Sequence, residues 1–170
     1  MSSEDVKSAG TLGFVGSILA LIPDLNIVGY ILLLIAMNKL SKVYNNDNIW
    51  RNAIYALIVA IIGGILIAIS LVSVFALFGM IFQGNFGILT GFIIVIIIIV
   101  YVLNIVSGYF WRNAYAELAK SSGINDFQNA AKWIWLGALL SIILVGVLLY
   151  IIGQIYAMRG LSKIKESITL

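Results

Sequence analysis

Sixty consecutive residues, 52 to 111, contain no Asp, Glu, Lys, Arg or His. As one helix at about 1.5 Å per residue they would extend about 90 Å, roughly three bilayer hydrocarbon cores. The stretch must therefore fold back, and Gln83-Gly84-Asn85-Phe86-Gly87 is its turn-forming run. Phe92 to Val100 reads Phe-Ile-Ile-Val-Ile-Ile-Ile-Ile-Val, a severe aggregation segment in water and an ordinary one in lipid. The rest of the chain agrees: 62% of residues are hydrophobic, 10% are charged, and the mean hydropathy is +1.12. The expected fold is all-α, a polytopic transmembrane helical bundle forming a single integral membrane domain over residues 1–170.

Internal repetition sets the expected helix count. Ala36-Met37-Asn38-Lys39-Leu40-Ser41-Lys42-Val43 returns as Ala157-Met158-Arg159-Gly160-Leu161-Ser162-Lys163-Ile164, with ungapped apolar sequence running back to Gly16 and Gly137. The first block is broken by Pro23-Asp24-Leu25-Asn26, where proline interrupts a helix and Asp and Asn favour a turn or a new start. Six segments follow, at about 8–22, 27–44, 49–82, 88–118, 126–144 and 147–165: two short broken-helix pairs flanking a long central hairpin. In the last pair the bend falls near Val145-Gly146. The alternative is four segments, with blocks 8–44 and 126–165 each a single kinked helix.

Charge placement favours six. With six spans, all ten basic residues fall on one face, and the positive-inside tendency puts that face and both termini in the cytoplasm. Four spans would move Lys7, Arg159, Lys163 and Lys165 to the other side. Trp50, Arg51, Trp111, Arg112, Trp133 and Trp135 cluster at the basic boundary, where indoles and guanidinium groups anchor at lipid headgroups. Glu117 is placed to pair with Arg112 or Lys120 along one helix. Against six stands the length of 8–22, about 22 Å, short of the hydrocarbon thickness unless the helix begins nearer Ser3 or the bilayer thins.

Small residues at four-residue spacing offer a helix-packing interface: Ala56, Ala60, Gly64 and Ala68 on the third segment, Gly87 and Gly91 on the fourth. Such a stripe serves packing within the bundle, or contact with a second copy or another membrane subunit. Asp24, Asn26, Asn104 and Gln154 mark a polar path, read either as caps and interhelical glue or as the lining of a small channel or carrier.

No catalytic constellation is present. Histidine and cysteine are absent, which removes a rhomboid-type base, zinc ligation and haem or iron–sulfur chemistry, and no paired acids face each other within the spans. The chain is expected not to be an enzyme, to hold no cofactor or metal, and to have membrane lipids as partners but no nucleic acid. A structural or accessory subunit of a membrane assembly is the leading reading.

Gly16-Ser17-Ile18-Leu19-Ala20-Leu21-Ile22-Pro23 with Ile27-Val28-Gly29-Tyr30-Ile31-Leu32, Asn48-Ile49-Trp50-Arg51-Asn52-Ala53 and Gly137 to Gly146 together resemble a mostly archaeal membrane-protein family, domain of unknown function 996. The resemblance covers nearly the whole chain and implies a membrane location. It assigns no activity and no site residue.

Overall fold

The computed structural model describes residues 3–81 and 86–166, and among these are six α-helices and no strand. They are α1 (Ser3–Leu19), α2 (Asn26–Val43), α3 (Asp47–Ile81), α4 (Phe86–Ser122), α5 (Asn125–Leu139) and α6 (Leu144–Glu166), with a single 3-10 turn at Pro23–Leu25 before α2. Among the described residues, four segments are long and apolar enough to cross a membrane: Asn26–Val43, Asp47–Phe75, Thr90–Ser122 and Leu144–Glu166. The 17 residues of α1 and 15 of α5 are not. Of the expected turn at 83–87, residues 83–85 lie outside the described residues, and Phe86 and Gly87 already belong to α4.

Consecutive helices pack side by side, and α1 closes against α6. The two ends of the molecule differ in chemistry. At the basic end, the α2–α3 connection is set by local caps. Asn45 is left-handed (φ 49°), the Asn46 N–H reaches Ser41 O at 2.8 Å, and the Asn45 N–H reaches Lys42 O at 3.3 Å, which together close the last turn of α2. Asn46 Oδ1 then accepts the Asn48 N–H at 3.1 Å and starts α3, while its amide reaches Glu117 and Ser121 on α4. Glu117 pairs with Lys120 at 2.6 Å. Gly123 makes the matching left-handed turn (φ 70°) between α4 and α5.

The buried core also sits toward this end: Leu33, Met37, Leu40, Ile49, Leu118, Phe127, Ile134 and Leu161 surround Trp111 and Tyr115. The far arms of α3 and α4 carry the most apolar sequence and expose it, with Ile65, Ile69, Val72 and Phe75 outward on α3 and Ile94, Val95, Ile97 and Ile98 on α4. That inversion is what a lipid solvent permits.

The two short helix pairs are built alike, through glycines that sequence spacing did not single out. A Cβ on Gly16 would lie 2.7 Å from Leu33 N and 2.8 Å from Gly29 O. One on Gly137 would lie 2.8 Å from Tyr150 N and 3.0 Å from Gly146 O. Gly16 corresponds to Gly137, as the repeat predicts, but Gly29 corresponds to Gly146 rather than Tyr150. Between the packed glycines the second hairpin is four residues shorter, one helical turn, because α6 already begins at Leu144, the counterpart of Pro23, whereas α2 begins only at Asn26.

The bend in that hairpin also differs from expectation. α5 stops at Leu139, and the chain turns through 140–143 before α6 begins at Leu144, rather than bending at Val145-Gly146. Gly146 has a different task. It lies inside α6, and a Cβ there would strike the Leu140 and Ser141 backbone.

Candidate functional site

Where α2, α3, α4, α5 and α6 converge at the level of this bend, they leave a partly open cavity of about 340 Å³. α4 supplies Asn104, Ser107, Gly108 and Trp111, α2 supplies Tyr30, and α6 supplies Tyr150. Helices approach closely here because small residues meet: a Cβ on Gly108 would strike the Ala138 side chain. Ser107 Oγ donates to Ala56 O at 3.0 Å, locking α4 to α3. Asn104 Nδ2 donates to Ser141 Oγ at 2.7 Å, and Tyr101 Oη donates to Leu139 O at 2.7 Å, tying α4 to the 140–143 bend.

One wall carries a buried polar chain. Gln154 Nε2 donates to Tyr150 Oη at 3.1 Å, and the Tyr150 and Tyr30 hydroxyls meet at 3.3 Å. Gln154 Oε1 and Tyr115 Oη are buried without a hydrogen-bond partner among the described residues. Behind this chain the rings of Tyr30, Trp111, Tyr115 and Phe127 follow one another with centroids 6.3, 5.8 and 6.3 Å apart.

The four expected path residues are only partly assembled. Asn104 lines the cavity, and Gln154 reaches it through Tyr150. Asp24 is exposed in the 3-10 turn and Asn26 opens α2; neither lines the cavity. Tyr30, Tyr150, Ser107 and Ser141 do line it, and helical spacing alone had not marked them.

The expected headgroup anchors divide in the same way. Arg51 and Arg112 are exposed, Trp50, Trp133 and Trp135 are half-buried, and the Arg112 guanidinium lies 5.7 Å from the Trp135 ring with Lys132 Nζ 5.6 Å from Trp133. Trp111 departs from expectation. Its indole is 4% exposed and packs against Tyr30 and Tyr115, so it is a core residue with no access to headgroups. Trp111 sits on the inner face of α4, whereas its neighbour Arg112 points out, one residue being a rotation of about 100°.

The small-residue stripe is also split. Ala56 is buried between α3 and α4, but Ala60 and Ala68 are exposed, and among the described residues a Cβ on Gly64, Gly87 or Gly91 would meet no atom within 4 Å. On α3 it is Gly63, next to the stripe, that faces Leu103.

The family described as "Protein of unknown function (DUF996)" matches residues 25–155. This chain belongs to that family. The DUF996 match takes in every cavity-lining residue and stops just short of Asp24. An uncharacterised protein of Methanocaldococcus jannaschii is 30% identical over 167 residues, covering 91% of this chain and 90% of that protein. No solved structure matches the chain.

Proposed function

We propose that this DUF996 protein is an integral membrane protein with a structural or accessory role in a membrane assembly, and that it is not an enzyme. Its basic face and both termini lie in the cytoplasm, where all ten Lys and Arg residues gather under the positive-inside tendency. The supporting observation is the outer surface of α3 and α4. Ile and Val side chains dominate it, while Gly64 with Ala68 on α3, and separately Gly87 with Gly91 on α4, leave open places that a second helix can approach closely. The partners on this reading are bilayer lipids and either a second copy or another membrane subunit.

Neighbouring glycines supply the test. A cysteine at Gly64, carrying a photoactivatable maleimide, is expected to yield a covalent adduct with a second polypeptide in native membranes. The same probe at Gly63, which faces Leu103, is expected to react within the chain. Adducts with lipid alone at residue 64 would remove the protein partner from that face.

The cavity supports a second reading, a path for a small polar solute lined by Asn104, Ser107, Ser141, Tyr30 and Tyr150. Asn104→Leu would then lower flux in liposomes. Unchanged flux would count against the path.

A further inference from the structure

We infer that the hairpins α1–α2 and α5–α6 enter the bilayer from the basic side and turn near its midplane, so that only α3 and α4 cross it. The protein then places six helices in one leaflet and two in the other, and its ligand is a lipid leaflet under curvature. This rests on the membrane reading above and extends it from location to shape.

Uncharged length carries the first part. A crossing helix needs about 30 Å of apolar rise. From Asn52 to Ile81, α3 offers about 45 Å, and from Phe86 to Trp111, α4 offers about 39 Å. Lys132 leaves only seven residues of α5 before its end at Leu139, about 10 Å. Lys7 leaves twelve residues of α1, about 18 Å, and Lys39 leaves thirteen of α2, about 20 Å. In α6 the fifteen residues before Arg159 rise about 22 Å. None of these four uncharged stretches reaches 30 Å, although α2 and α6 are long and apolar enough to cross once their charged ends are counted.

Depth can be read from α4. Arg112 lies beside Trp135 at the basic boundary, and Tyr101 bonds Leu139 at the start of the second bend. Tyr101 is eleven residues from Arg112, about 16 Å, half of the roughly 30 Å hydrocarbon core. The bend at 140–143 therefore falls at mid-depth. Tyr30 meets Tyr150 and lines the cavity beside Asn104, which carries the Asp24 turn to a similar depth six residues further on.

The bends themselves suit lipid. Leu21, Ile22 and Ile27 on the first, and Ile142, Ile143 and Leu144 on the second, point outward, Leu144 with 86% of its surface exposed. Non-helical backbone at membrane depth must be satisfied from within the protein. Here Ile22 N–H bonds Leu19 O at 3.1 Å, Leu25 N–H bonds Ile22 O at 3.0 Å, Ile143 N–H bonds Leu140 O at 3.0 Å, and Gly146 N–H bonds Ile143 O at 2.9 Å. Pro23 has no N–H to satisfy. Asp24 is the one ionisable group on either bend, so its insertion carries a cost and its position is the most informative to probe.

The mechanical consequence is a wedge. At roughly 80 to 110 Å² of cross-section per helix, from a diameter of about 10 to 12 Å, four extra helices expand one leaflet by about 300 to 450 Å². Such a shape favours a bilayer that is convex on the basic side.

Because the chain lacks cysteine, single cysteines at the exposed positions Asp24 and Ile142 report depth directly. In sealed vesicles both are expected to resist a membrane-impermeant maleimide from either side and to react with a lipid-soluble one. Cysteine at Gly123 is expected to label from the cytoplasmic side only. Exterior labelling of residue 24 or 142 would overturn the half-crossing hairpins in favour of six spans. Reconstituted with termini outward into phosphatidylcholine–phosphatidylglycerol vesicles of mixed size, the full chain is expected to be enriched several-fold in the smallest. Equal density across sizes would overturn the wedge. Failure of the membrane reading would look different, as loss of the protein from the bilayer before any labelling.

Discussion

Replacing Gly29 with valine is expected to open the first hairpin and lower stability by about 3 kcal/mol, the upper end of ordinary overpacking. The obstruction is backbone. A Cβ at residue 29 would run into Ala20 N and Leu19 C, and residue 16 across the interface already has Leu33 N within 2.7 Å of its own Cβ position. Backbone atoms cannot swing aside as a side chain can, so α1 and α2 would have to separate. Gly137→Val is expected to do the same to α5 and α6, since Tyr150 N lies 2.8 Å away. The contrast is with Gly64→Val and Gly91→Val, which face open space and are expected to shift stability by no more than about 0.5 kcal/mol. Thermal unfolding in detergent, followed by tryptophan fluorescence, ranks the four. Gly29→Val melting with the parent protein would show that this close approach does not hold the hairpin.

The second large effect concerns Asp126, which is buried in the first turn of α5. Its carboxylate accepts from Lys163 Nζ, and Arg159 Nε stands 3.7 Å from Oδ1. The cluster is lopsided: the acid side chain is 7% exposed, while the arginine and lysine are 61% and 55% exposed. Removing both cations leaves a buried carboxylate without a counter-charge, whereas removing the carboxylate leaves two cations that water still reaches. Lys163→Met with Arg159→Met is therefore expected to cost about 2 to 3 kcal/mol, less than a fully buried broken pair because the cations are partly hydrated. Asp126→Leu is expected to cost about 1 kcal/mol or less, including loss of a favourable negative charge at a helix N-terminus. Equal losses, or a larger one for Asp126→Leu, would contradict the asymmetry. Denaturant unfolding of the variants in micelles makes the comparison.

The all-helical fold was legible because uncharged length is a one-dimensional property. Residues 52 to 111 cannot avoid a long hairpin, and Pro23 cannot avoid a break. The helix pairing in the flanking blocks was legible through the repeat. Its register was not, because an earlier start of α6 than of α2 slides one helix by a whole turn and leaves the apolar face unchanged. The glycines show why the interface was misplaced. Regular spacing selects Gly64, Gly87 and Gly91, but close approach depends on what lies opposite, and only three dimensions put Leu33 against Gly16 or Phe127 against Gly160. Trp111 and Arg112 likewise read as one boundary pair in sequence, and helical rotation sends one inward and the other outward. Cavity residues such as Tyr30 and Tyr150 are 120 positions apart, and nothing local marks them as neighbours.

The central claim is that α3 and α4 hold this protein in lipid. Native membranes washed in alkaline carbonate, without detergent, test it most directly. The chain is expected to stay entirely with the sedimented membranes and to come free only when detergent is added. Its appearance in the aqueous supernatant would contradict the account.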